Sequence, residues 1–156
     1  MRPGPVLIAY DGTAAAERAL RETSELLPGR KALVVVVYKT GLVFELVELP
    51  TARAGLPPAP LDMRTALEVD RSLLEAARRG AEQAAATARE LGLEAEPLVV
   101  TEDAEIPVDE TLVSLARERD AQVVIVGAHK HGPILGRITR GVVRNAPCPA
   151  LVVREM

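Results

Sequence analysis

Five short apolar runs constrain this chain more than any other feature. They are Pro5–Tyr10 (PVLIAY), Lys31–Tyr38 (KALVVVVY), Glu96–Thr101 (EPLVVT), Gln122–Val126 (QVVIV) and Pro149–Val153 (PALVV). Each is near-continuous in aliphatic residues instead of alternating with polar ones. Such runs suit parallel strands covered on both faces. Helical patterns fill the gaps. Ala16, Ala19, Leu20, Thr23, Leu26 and Leu27 recur at helical spacing until Pro28-Gly29 ends them. A longer helix is predicted from about Asp62 to Leu91, with Leu67, Leu73, Leu74, Ala77, Ala81, Ala84, Ala88 and Leu91 on its apolar side and Gly92 as its stop. Val108, Leu112, Leu115 and Ala116 mark a third helix led by Pro107, and a short fourth covers Arg137–Asn145 before Pro147. Strands alternating with helices of this length predict an α/β fold: a doubly wound, five-stranded parallel sheet with helices on both faces.

A length of 156 residues suits one domain with one core. Aromatic residues make up only 2%, so that core is built from Val, Leu, Ile and Ala, and stacking platforms for single-stranded nucleic acid are not expected. The formal net charge of −3 provides no global basic field for DNA, RNA or an anionic membrane. Cys148 is the single cysteine, which fits a reducing cytoplasm. The apolar run before Asp11 is too short for a signal-peptide core or a membrane span, so a cytoplasmic location is expected. The segment 40–61, with Pro50, Pro57, Pro58 and Pro60, reads as an irregular surface insert. Its Val43, Phe44, Leu46, Val47 and Leu49 leave a second reading open, a lid or partner-contact segment.

In open α/β sheets, ligands bind beyond the carboxyl ends of the strands, where the strand order reverses. Asp11-Gly12-Thr13 follows the first run and Gly127–Gly136 the fourth, so Asp11 would face the glycine loop across one crevice. Asp11 reads either as an N-cap-like residue before the first helix or as an acceptor for a ribose or adenine group. Glycines let backbone amides approach a phosphate, and a helix beginning near Arg137 would aim its N-terminus at that anion. Thr139 in its first turn could add a hydroxyl. His129 and His131 form a His-x-His pair without a third ligand of matching spacing, so no metal site is expected. Cys148, between two prolines, reads as a small buried residue.

VLIAYDGTAAAERALRETSELL, VVIVGAHKHG and GRITRGVVRNAPCPALVV together resemble the universal stress protein family. The resemblance covers nearly the whole chain outside the 40–61 insert. It implies an adenine nucleotide alpha hydrolase-like sheet of order 3-2-1-4-5, homodimerisation through the last strand (149–153) and, in one subgroup, ATP binding. ATP is then the implied cofactor, with magnesium as its companion ion. Ala9, Tyr10, Asp11, Val37, Val126, Gly127, His129, Gly136, Ile138 and Thr139 match positions around that nucleotide. Lys130 and Gly132 belong to the same loop.

The subgroup pattern runs Gly, two residues, Gly, nine residues, then Gly-Ser or Gly-Thr. Here Lys130 takes the place of the second glycine and Arg137 that of the small hydroxyl residue, and the loop is about four residues shorter. Lys130 and Arg137 offer phosphate cationic donors, each charged hydrogen bond being worth roughly 1.5–3 kcal/mol. Arg137 could equally fill the vacated space. Two readings follow: a cytoplasmic module binding an adenine nucleotide between the first and fourth strands, or a nucleotide-independent homodimeric interaction protein with a degenerate pocket. An enzyme is not expected, beyond slow ATP hydrolysis. The chain shows no Walker lysine motif, no Gly-x-Gly-x-x-Gly after the first strand and no assignable catalytic triad.

Overall fold

The computed structural model describes residues 4–40, 63–129 and 136–155. Strand β1 spans Val6–Ala9 and helix α1 Ala14–Leu26; strand β2 spans Lys31–Thr40 and helix α2 Met63–Glu90. Strand β3 follows at Glu94–Asp103, helix α3 at Val108–Glu118, strand β4 at Val123–Ala128, helix α4 at Arg137–Asn145 and strand β5 at Ala150–Arg154. All strand pairs are parallel, in the order β3-β2-β1-β4-β5. The sheet runs outward from β1 in both directions, so its order reverses between β1 and β4. This is the doubly wound topology that the five runs and the family resemblance imply.

The sequence dictates the sandwich through side-chain parity. On β1, Val6 and Ile8 face one side, packed against Ala19 and Leu20 of α1 and Ala84, Ala85 and Ala88 of α2. Leu7 faces the other side, against Leu112, Leu115 and Ala116 of α3 and Val142 of α4. Val6, Leu7 and Ile8 are wholly buried, each contributing roughly 1.5–3 kcal/mol of burial energy. A strand lacking a polar face can satisfy such a sequence only between two helical layers.

Three details differ from the sequence expectations. Strands β2 and β3 extend beyond their apolar runs, whereas β1 is shorter than its run: β2 and β3 pair from Lys31 opposite Glu94 to Thr40 opposite Asp103, so Thr40 belongs to β2 and not to the insert. The remainder of the insert, 41–61, lies outside the described residues. The expected apolar side of α2 holds at Ala81, Ala84 and Ala88, which are buried along with Ala66 and Ala85, and fails at its leucines Leu67, Leu73 and Leu91, which are exposed. A 28-residue helix is about 42 Å long, more than the sheet can cover, and alanines let its covered part approach closely. Finally, Pro107 is the N-cap of α3 and not its first helical residue. Gly92 does end α2, with φ of 101°.

Candidate functional site

Helices α1, α3 and α4 all begin beside the carboxyl ends of β1 and β4, where the sheet order reverses. There the structure holds a cavity of about 440 Å³, within the range of small-molecule sites. Its floor is the sheet face shared with α3 and α4: Ala9 of β1, Val37 of β2, and Val126 and Ala128 of β4. Val108 and Leu112 of α3 form an apolar wall. The β1–α1 turn contributes Tyr10, Asp11, Thr13 and Ala16, and the opposite rim is Gly127, His129, Gly136, Arg137, Ile138, Thr139 and Arg154.

Each described residue named from the sequence therefore lies around one cavity: Ala9, Tyr10, Asp11, Val37, Val126, Gly127, His129, Gly136, Arg137, Ile138 and Thr139. Lys130 and Gly132, with His131, lie outside the described residues. Sequence reading missed Thr13, Ala16, Val108, Leu112, Ala128 and Arg154. Val108 and Leu112 were visible as helix-face residues, but nothing local said that their face overhangs a cleft.

The β1–α1 turn corrects one expectation. Thr13, not Asp11, is the N-cap of α1, its hydroxyl accepting from the Ala16 amide at 3.2 Å. Asp11 sits one step earlier. Its Oδ1 accepts from the Thr13 amide at 3.0 Å and from the Thr13 hydroxyl at 2.5 Å. The residue is exposed, and Oδ2 has no partner among the described residues. The turn thus fixes the carboxylate while leaving one oxygen for a ligand donor.

Tyr10 is engaged elsewhere. Its hydroxyl donates to Oε1 of Glu17 on α1, and burial, helped by that carboxylate, pushes its pKa up to about 12. It borders the cavity with its hydroxyl committed. Gly127 likewise has a packing role. A β-carbon there would lie 2.7 Å from the carbonyl carbon of Ala15, so the glycine lets α1 dock against β4.

The α4 end is the electropositive side. Its N-cap is Gly136, which offers no side-chain cap, and the first intrahelical bond of the helix is donated by Arg140 to the Gly136 carbonyl. The amides ahead of it make no intrahelical bond, belong to residues that line the cavity, and carry the positive end of the helix dipole. Thr139 is 5% exposed and lines the cavity, yet its hydroxyl has no partner among the described residues. Among the described residues no fully buried side-chain oxygen or nitrogen lacks a hydrogen-bond partner, so Thr139 is a cavity-lining hydroxyl and not an orphaned buried one. Apolar floor, helix N-terminus, threonine hydroxyl and guanidinium groups together suit a flat apolar ring carrying an anionic tail. No group of three or more His, Cys, Asp or Glu residues able to hold a metal occurs among the described residues. Cys148 is half-buried, and burial pushes its thiol pKa up, the opposite of an activated nucleophile.

Fold and cavity together define a doubly wound α/β protein with a ligand-sized cleft at its switch point. The sequence matches the universal stress protein family over residues 4–154, and the chain belongs to that family. No curated protein matches it significantly. Among solved structures, the hypothetical protein MJ0577 is similar with a TM-score of 0.71 at 18% identity, covering 100% of this chain and 99% of that one. The universal stress protein from Archaeoglobus fulgidus in complex with dAMP gives a TM-score of 0.57 at 19% identity, covering 98% and 99%. A universal stress protein family member from Arabidopsis thaliana with AMP bound gives 0.63 at 16% identity, covering 99% and 93%. At these identities the likeness is one of fold.

Proposed function

We propose that the cavity binds an adenine nucleotide, ATP among them, and that the protein acts as a nucleotide-binding stress-response module. The observation that carries this reading is the start of α4: a helix without a side-chain cap, with Arg137 and Thr139 in its first turn, opening on an apolar cleft. The base would lie on Ala9, Val37 and Val126 against Val108 and Leu112, with the free oxygen of Asp11 accepting from ribose or amine. The first phosphate would meet the α4 amides and Thr139, and further phosphates Arg137. The dAMP and AMP complexes of the structural neighbours support a nucleotide in this fold. Magnesium would arrive on the phosphates of ATP and not on a protein-built site.

The degenerate-pocket alternative requires Arg137 to fill the space left by the short loop. Arg137 is exposed at the rim instead, and about 440 Å³ stays open beside it, which favours the binding reading. No described residue cluster supplies a general base and nucleophile, so the proposed role is binding, with hydrolysis slow at most. Pairing of two copies through β5 is part of the proposal. β5 is a sheet edge, and Ile138 and Val143 on the adjoining α4 are exposed. Sedimentation at high micromolar concentration should show a dimer. A cytoplasmic location is proposed from the lone free cysteine; among the described residues no helix is long and apolar enough to cross a membrane.

Mass spectrometry of small molecules released from fresh protein, with calorimetric titration of ATP, ADP and AMP, tests the central reading. One adenine nucleotide bound per chain is expected. No released nucleotide and no heat at millimolar concentration would remove it.

A further inference from the structure

The cavity has a second cationic side chain that no loop motif announces. Arg154 is the last residue of β5 and stands in register opposite Ala128 of β4. Parity decides where it points. Val153 packs on the α1/α2 side of the sheet, while Ala150 and Val152 pack on the α3/α4 side. Arg154 shares the side of Ala150 and Val152, the cavity side, and it lines the cavity together with Arg137. Its neighbour Glu155 has the opposite parity and fixes the strand end by donating its amide to the Ala128 carbonyl at 3.0 Å.

Neither guanidinium has an ion-pair or hydrogen-bond partner among the described residues. Asp109 of α3 is packed against Gly141, one turn along α4 from Arg137, but forms no ion pair with it. Two guanidinium groups from different elements, neither paired among the described residues, therefore line the same cavity as the start of α4 and Thr139. In a chain of net charge −3, two such arginines at one cleft favour an anion with more than one charge.

We infer that Arg154 and Arg137 form a two-sided guanidinium clamp on the distal phosphates of the bound nucleotide, making the site select nucleoside di- and triphosphates over monophosphates. This rests on the nucleotide reading above. A monophosphate sits within reach of the α4 amides and Thr139 and needs neither arginine. A longer phosphate chain extends past the start of α4 toward the end of β5, where Arg154 waits. Side-chain charge thereby replaces the backbone wrap that a longer loop would provide. Arg154 is a positioning and specificity residue and takes part in no bond-making step.

The test is calorimetric titration of the full chain and of Arg154→Gln with adenosine, AMP, ADP, ATP and inorganic tripolyphosphate, at low and high salt. For the unmodified chain, ADP and ATP should bind at least about 5-fold more tightly than AMP, with a gap that narrows as salt screens the guanidinium groups. Arg154→Gln should erase that gap while leaving AMP within about 2-fold and the melting temperature unchanged, since its side chain is exposed and has no partner among the described residues. Arg137→Gln should narrow the same gap independently. A variant that keeps the unmodified preference for ADP and ATP over AMP overturns the clamp and leaves the nucleotide reading standing. If no adenine compound binds the unmodified chain, the nucleotide reading falls. Tripolyphosphate then decides the clamp, which survives if Arg154→Gln weakens that binding several-fold and is overturned if the unmodified chain does not bind tripolyphosphate.

Discussion

Gly127 of β4 lies so close to Ala15 of α1 that a β-carbon on the glycine would sit 2.7 Å from the Ala15 carbonyl carbon and 2.8 Å from its oxygen. The contact is with backbone, so no rotamer change relieves it. Gly127→Ala should therefore push α1 away from the sheet and destabilise the protein by about 1–3 kcal/mol, the usual range for overpacking. Thermal denaturation followed by circular dichroism reads this directly. An unchanged melting temperature would mean that α1 docks less tightly than described.

Thr13 holds the other end of the same turn. It caps α1 through the Ala16 amide and donates its hydroxyl to Asp11. Thr13→Ala should cost about 0.5–2 kcal/mol through the lost cap. It should also weaken adenosine binding, because Asp11 loses a hydrogen-bond donor that orients it. Thr13→Ser should restore both. Chemical denaturation and adenosine titration of the two variants separate cap from orientation.

The two tyrosines provide a pH test. Tyr10 donates to Glu17, and Tyr38 donates to the Asp70 side chain at 2.6 Å; burial first and the carboxylates second push both pKa values up to about 12. Because the folded values lie above the ordinary value of 10.0, the folded state holds its phenolic protons more tightly than the unfolded state. That stabilisation is fully present below pH 10 and is lost as pH rises toward about 12. With only two tyrosines and no tryptophan in the chain, ultraviolet titration near the tyrosinate band should show almost no ionisation at pH 10 in native protein. Half-ionisation of either tyrosine near pH 10 would contradict the buried hydrogen bonds.

Tyr38 also ties β2 to the part of α2 whose leucines are exposed. Tyr38→Phe should loosen residues 63–80 more than 81–90, since the latter keep Ala81, Ala84, Ala85 and Ala88 in the core. Amide hydrogen exchange would show faster exchange confined to the first part of the helix.

Much of the fold was legible because parallel strands carry a distinctive signature. Val6, Leu7 and Ile8 are apolar on both faces because both faces are buried, and the run shows that without any partner in view. The helix faces were harder to read. Leu67 and Leu73 outrank alanine in hydrophobicity, yet Ala81 and Ala85 are the residues the sheet admits, because distance of approach and not hydrophobicity decides which face docks. The cavity was legible where it follows a strand, as at Asp11, and where the family resemblance supplied positions, as at Val37 and Thr139. Arg154 was not, since its place depends on the register of β4 against β5 and on counting parity from Val152. Once the order β4-β5 is known, that parity is available from sequence. Of the two readings open for Asp11, the cap fails because Asp and Thr are both good N-caps and only the hydrogen bond to Ala16 distinguishes them.

The most direct test of the account is titration of ATP into the unmodified chain and into Thr139→Val. Valine keeps the shape and removes a hydroxyl that has no partner among the described residues, so the melting temperature should change little. ATP should bind the unmodified chain at one per chain, and the variant about 5- to 10-fold more weakly, as expected for one lost hydrogen bond. Equal affinities for the two proteins, or no binding by the unmodified chain at millimolar ATP, would contradict a nucleotide seated at the start of α4.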